Sequence, residues 1–200
     1  LKVLPETVKK IAVLDRTIEQ GAIYEPLCLD VQSSFYGKAN APLIVGGRYG
    51  LSSKDTTPSM INAVFNNLKL EQPKDHFTLG INDDIKYSSL DITEEIDVID
   101  PSTTELLFFG LGSDGTVGAC KNISKIVGDY TDFYSQSYAA YDSKKSGGST
   151  RLHLRFSKKP IRSTYLVNKP HFVSCSLDAY LEKFDMIDGL RDGGTFLLNT

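Results

Sequence analysis

The sequence predicts an α/β protein made of two α/β units, and three observations carry that prediction. Short apolar runs such as Ile11-Ala12-Val13-Leu14, Leu43-Ile44-Val45 and Leu106-Leu107-Phe108-Phe109 alternate with segments of helical spacing. Glycines follow directly on two of these runs, at Gly46-Gly47 and at Gly110, Gly112 and Gly115. Residues 82–104 carry seven acids and one lysine with little periodicity, which reads as an exposed connector. The expected domains are therefore 1–100, including the connector, and 101–200.

In the first unit, Ile11–Leu14 and Leu43–Val45 read as short buried strands. Pro58 to Leu68 reads as a helix, because Met60, Val64 and Leu68 recur at four-residue steps behind Thr57 as N-cap and Pro58 at the first helical position. Phe77 to Ile81 reads as a strand ended by the turn-forming Asn82-Asp83-Asp84. The second unit begins with a strand at 106–109, a glycine turn and a helix over about 117–128. Strands follow near 136–141, 150–156, 163–167 and 171–175, then a helix over about 178–190 and a strand at 195–198. Arg151-Leu152-His153-Leu154-Arg155-Phe156 alternates cleanly, which buries one face and leaves the basic face to solvent or a ligand.

Composition narrows the function classes. Hydrophobic content of 40 % and charged content of 24 % suit a globular protein with a core. A net charge of −3 argues against a general nucleic-acid binder. No apolar run approaches the roughly 20 residues that span a bilayer, so no membrane role is expected. Cys28, Cys120 and Cys175 are too few and scattered for a disulfide framework or a zinc site, and an intracellular, reducing compartment is expected. His76, His153 and His171 lack ligand spacing, so no metal site is expected. The first residues, LKVLPETVKK, lack both Met and a signal-peptide core and read as the middle of a longer chain.

The glycine turn carries the most chemistry. Strand, glycine turn, helix is how a backbone presents free N–H groups to an anion, and Gly110-x-Gly112-x-x-Gly115 formally matches the dinucleotide fingerprint. The acid that would bind a ribose is late, however: Asp142 stands 27 positions after Gly115. It is followed by Ser143-Lys144-Lys145-Ser146-Gly147-Gly148, a loop better suited to phosphate. If the strands before the two loops are parallel neighbours, both loops open at one sheet edge and point to a polyanion such as a nucleotide or coenzyme A. Tight strand-to-helix packing with solvated lysines is the alternative. Lys158-Lys159-Pro160-Ile161-Arg162 would be a solvated hairpin, or would widen the electropositive rim. Cys120 is read as a small buried residue, with a thiol of lowered pKa near the helix start as the alternative. In the first unit, Arg16 and Arg48 stand at strand ends, where packing is favoured over anion binding. No Ser-His-Asp or paired-carboxylate arrangement is readable, so binding rather than bond-making groups are expected.

These motifs together resemble the pyruvate:ferredoxin (flavodoxin) oxidoreductase family. The residues that carry the resemblance are IAVLDRT, PLIVGGRYGLSSKD, HFTLGINDD, FFGLGSDGTVGA, YDSKKSGG, KPIRSTYLV and DGGTFLLN, in order over nearly all 200 positions. The family usually has Asn where this chain has Cys120. The resemblance implies that residues 1–100 are the end of a transketolase C-terminal-like domain and 101–200 most of a gamma-type domain. It implies an enzyme that uses thiamine pyrophosphate and [4Fe-4S] clusters to oxidise pyruvate, forms acetyl-coenzyme A and passes electrons to ferredoxin or flavodoxin. This segment has neither a thiamine motif nor cluster cysteines and would be inactive alone, working with the remaining domains or sister subunits as a homodimer. The cytoplasm, or an anaerobic organelle in a eukaryote, is the expected location. Within this segment, Gly112, Ser113, Asp114, Gly115 and Thr116 would hold coenzyme A phosphate, Lys144, Lys145 and Ser146 would complete the site, and Arg16 and Arg48 would brace the thiamine-binding domains. The rival reading is a non-catalytic relative in a fused reductase, either a pyruvate:NADP+ oxidoreductase or a sulfite reductase component. A stand-alone dinucleotide-binding domain is a third.

Overall fold

The computed structural model describes residues 3–141 and 148–200, and the chain divides into two compact units, Leu1–Val98 and Ile99–Thr200. The first unit is built on a parallel sheet of order β1(Lys10–Asp15)-β2(Leu43–Arg48)-β3(Phe77–Thr78). Two helices, α1(Pro26–Ser34) and α2(Pro58–Lys69), cover it. Helix α2 starts as its sequence requires, with the Thr57 side chain accepting from the Met60 N–H. Its Met60, Val64 and Leu68 pack with Val45, Phe77 and Leu79. Strand β3 is shorter than the expected 77–81, because the chain turns at Gly80, which has a φ of +72°.

Helix α1 is absent from the sequence reading, and its start explains why. Its N-cap, Glu25, makes no side-chain cap. The free amides of Leu27 and Cys28 donate instead to the two carboxylate oxygens of Asp15, at 3.1 Å each. The cap comes from the end of β1, where no local pattern announces it. Pro26 at the first helical position was the available local signal.

Two adjacent glycines let β2 meet both layers. A Cβ on Gly46 would lie 3.1 Å from Cys28 Sγ and from the Tyr24 ring, and one on Gly47 would lie 2.2 Å from the Phe77 ring. Successive strand residues face opposite sides, so α1 and Phe77 approach β2 from opposite faces.

The second unit holds a sheet of order β5(Tyr134–Tyr141)-β6(Ser149–Ser157)-β4(Thr104–Leu111)-β7(Phe172–Cys175)-β8(Thr195–Leu198). Strand β6 runs antiparallel to β4 and β5, whereas β7 is parallel to β4 and β8 to β7. One face packs Leu106, Phe108, Leu152 and Leu154 under α3(Thr116–Tyr130), with Cys120 at the contact. The other face buries Leu107, Phe109, Val173 and Cys175 against Tyr180 and Met186.

Two expected elements do not form. Residues 163–167 are not a strand, because side chains of the sheet satisfy their backbone. Gln136 Nε2 donates to Ser163 O at 2.7 Å, Arg155 Nη1 to Tyr165 O at 2.7 Å, and the Val167 N–H donates to His153 Nδ1 at 3.1 Å. The expected helix at 178–190 contracts to a 3-10 turn at Asp178–Tyr180 followed by separate turns. Asp185 Oδ1 takes the Asp188 amide, and Gly189 adopts a φ of +78°.

The basic face of β6 is also largely buried, contrary to expectation. His153 and Arg155 are 6 % and 3 % exposed, and only Arg151 reaches solvent. Arg155 stands opposite Glu105 of β4, with Nε 2.8 Å from Oε1, and its Nη1 also donates to Gln136. Arg191 Nη2 reaches Glu105 Oε2 at 3.3 Å.

These contacts predict opposite outcomes for two glycines. Gly47→Ala drives a methyl into the fully buried Phe77 ring and should cost about 1–3 kcal/mol in urea unfolding. Gly112→Ala, whose Cβ meets nothing within 4 Å, should change stability by less than about 1 kcal/mol.

Candidate functional site

The glycine turn joins the end of β4 to the start of α3 and is held by its own aspartate. Asp114 Oδ2 accepts the Leu111 amide at 2.8 Å and the Ser176 hydroxyl at 2.6 Å, and Oδ1 accepts the Thr116 amide at 2.8 Å. One side chain thus ties together the ends of β4 and β7 and the start of α3. Burial pushes the Asp114 carboxyl up, but the bonds from Ser176, Thr116 and Leu111 outweigh it and hold the group below the usual carboxylate range. The turn therefore carries a resident negative charge at neutral pH.

The glycines divide the remaining work. A Cβ on Gly110 would sit 2.7 Å from the Thr116 side chain, so Gly110 is what lets α3 close on β4. Gly115 and Ser113 adopt φ of +90° and +70°, and Gly112 faces open space. The first intrahelical bond is Ala119 N–H to Gly115 O, at 2.9 Å. The amides of residues 115–118 accordingly have no acceptor within the helix. Asp114 occupies that of Thr116. Its carboxylate shapes the turn, a role its position among the glycines did not reveal.

Lys144, Lys145 and Ser146, with Asp142, Ser143 and Gly147, lie outside the described residues. The strands that frame them are placed. Strands β4 and β5 run parallel but are not neighbours, because β6 lies between them. Leu111 pairs with Ser149 and Tyr141 with Thr150. The glycine turn and the end of β5 therefore leave the sheet at the same edge, roughly 10 Å apart at ordinary strand spacing.

Lys158 to Arg162 is a largely exposed segment, as the solvated reading expects, and the alternative of a wider electropositive rim fails because the segment is not at this edge. It follows Ser157, the far end of β6, and at about 3.3 Å per residue lies some 25 Å from Ser149. There Lys159 Nζ pairs with Asp100 Oδ2 at 2.7 Å. Cys120 is fully buried, and burial, with Asp114 adding to it, pushes its thiol up to about 11, so the alternative of an activated thiol fails.

In the first unit, Arg48 Nε donates to Glu25 Oε1 at 2.6 Å, a buried carboxylate of its own unit. Arg16 lies along Gly50, with Nε 3.4 Å from the Gly50 carbonyl, and is exposed. Among the described residues no group of His, Cys, Asp and Glu could hold a metal ion, and no helix is long and apolar enough to cross a membrane.

Residues 105–200 match the family model described as pyruvate ferredoxin/flavodoxin oxidoreductase. The whole chain is similar to curated proteins of that description. It is 55 % identical to the pyruvate-flavodoxin oxidoreductase of Enterobacter agglomerans over 99 % of this chain and 17 % of that protein. It is 53 % identical to the pyruvate:ferredoxin oxidoreductase of Moorella thermoacetica over 100 % and 17 %. It is 46 % identical to the NADP(+) pyruvate dehydrogenase of Cryptosporidium parvum over 100 % and 10 %. The chain thus spans about a sixth or less of the relatives it matches.

The Asp114 geometry predicts a pH response. Its folded pKa is depressed, so the stabilisation of the turn is present above the ordinary aspartate value of about 3.9 and is lost as pH falls through the folded value. Hydrogen exchange at Leu111 and Thr116, corrected for the intrinsic rate, should lose protection in that acid range. In Asp114→Asn the protection should be weaker at neutral pH and insensitive to acid.

Proposed function

We propose that this chain is a segment of an enzyme of the pyruvate ferredoxin/flavodoxin oxidoreductase family, which converts pyruvate and coenzyme A to acetyl-coenzyme A and carbon dioxide. The electrons released go to ferredoxin or flavodoxin. The observation that carries this reading is 55 % identity running through 99 % of the chain, across both units. The parent works as a homodimer in the cytoplasm, or in an anaerobic organelle of a eukaryote.

This segment contributes coenzyme A binding and domain packing. Thiamine pyrophosphate and the [4Fe-4S] clusters belong elsewhere in the parent. Among the described residues no group of His, Cys, Asp and Glu is placed to hold a cluster, and Cys120 and Cys175 pack on opposite faces of the second unit's sheet. Coenzyme A is a substrate with phosphates at its nucleotide end. The shared edge of β4 and β5 supports the proposal that Gly112–Thr116 and Lys144–Ser146 receive them. There the backbone of the turn supplies N–H donors, and Lys144 and Lys145 supply point charges. Asp114 keeps the turn open rather than touching phosphate, because a carboxylate beside an anion is repulsive. Arg16, not Arg48, is the arginine left to brace a neighbouring domain.

A second reading, a fused NADP+-dependent enzyme, is favoured by the 46 % identity to the Cryptosporidium protein over the whole of this chain. The domains that flank the segment in the parent distinguish the two: cluster cysteines and a thiamine motif support the first reading, and diflavin domains support the fused form.

Each charge-assisted phosphate contact contributes about 1.5–3 kcal/mol. Lys144→Ala/Lys145→Ala in the full-length parent should therefore weaken coenzyme A by about two to four decades in calorimetric titration. Unchanged affinity would remove coenzyme A binding from this segment.

A further inference from the structure

The loop after β3 spends many hydrogen bonds on holding two apolar side chains in water. The Asp83 carboxylate accepts the amides of Ile85, Lys86 and Ser88 at 3.0–3.3 Å and the Ser88 hydroxyl at 2.5 Å. Ser89 Oγ donates to Ile81 O and accepts the Asp83 amide. Lys74 Nζ donates to the carbonyls of Tyr87 and Ser89 at 3.0 and 2.9 Å. The Thr78 amide donates to Ser88 O and the Leu90 amide to Thr78 O, so residues 88–90 lie beside β3 and cover its edge. Tyr87 is held at a φ of +54°, which bulky residues adopt only when their surroundings fix them.

The result is a rigid tip from which Ile85 and Tyr87 project 83 % and 75 % exposed, with exposed Lys86 between them. Single exposed apolar residues are ordinary. A locked aliphatic–aromatic pair is not, because the bonds that fix it also prevent its collapse onto the unit. Anchors fixed before contact lose little freedom on docking, and such residues form the centres of interfaces. Lys86 adds a requirement for negative charge at the rim. The matched relatives are about six times as long as this chain, so most of a parent of that length lies outside these residues. A site on the same polypeptide meets the tip at high effective concentration.

We propose that Ile85 and Tyr87 are the anchors of an interdomain contact, seated in an apolar, acid-rimmed pocket of the parent polypeptide outside these 200 residues. The proposal does not depend on the coenzyme A reading.

Benzoylphenylalanine placed at Tyr87 of the full-length parent, irradiated and digested, tests it by mass spectrometry. The expected product joins residue 87 to a peptide of the same polypeptide outside residues 1–200, and Ile85→Ser lowers its yield severalfold. Hydroxyl-radical labelling of the unsubstituted parent gives a reading without a variant, with Tyr87 labelled at least about tenfold more slowly in the native protein than in urea. Cross-links confined to a second copy, to another protein or to residues 1–200, no cross-link, or free labelling of Tyr87 would each overturn the proposal.

Discussion

The second unit depends on one buried carboxylate. Glu105 sits on the central strand β4 and answers two arginines, Arg155 on β6 and Arg191 in the turn before β8. Arg155 extends the connection to Gln136 on β5 and to the Tyr165 carbonyl, with the Tyr165 ring centre 5.1 Å from its guanidinium carbon. His171 closes the other side, taking the Glu105 amide on Nδ1 while its own amide donates to Glu105 O. Removing one member of a buried pair costs about 3–5 kcal/mol, because the charge left behind has no solvent to replace its partner. Well-packed apolar residues in place of a buried ion pair are often as stable. A directional network also fixes which strand stands beside which.

That fixed order is what places the candidate site. Strand β6 reverses between β4 and β5, so it brings their carboxyl ends to one edge and carries the Lys158–Arg162 segment to the other. The glycine turn and the end of β5 can therefore serve one ligand, whereas the later basic segment cannot join them. At that edge the Asp114 carboxylate organises the amides of Leu111 and Thr116, and its charge would oppose any anion brought there.

Periodicity made most of the fold legible. Met60, Val64 and Leu68 marked α2, and the run at 106–109 marked β4, because each pattern is created by the burial it predicts. Elements held by distant partners stayed hidden. Helix α1 is capped by Asp15 from β1, and residues 163–167 look like a strand but give their backbone to Gln136, Arg155 and His153. The alternation in β6 was correct while its meaning was not. It shows two faces, and only the partners of Arg155 and His153 show that both are buried. Of the candidate site, the glycine turn was readable, but the inward aim of Asp114 depends on Ser176, sixty-two positions away.

The edge shared by the ends of β4 and β5 is the place proposed to receive coenzyme A. Hydrogen–deuterium exchange on the full-length parent, with and without coenzyme A, tests it most directly. Added protection confined in this segment to residues 110–118 and 142–148 is the predicted result. Protection elsewhere in the parent, with both stretches exchanging as they do without ligand, would contradict it.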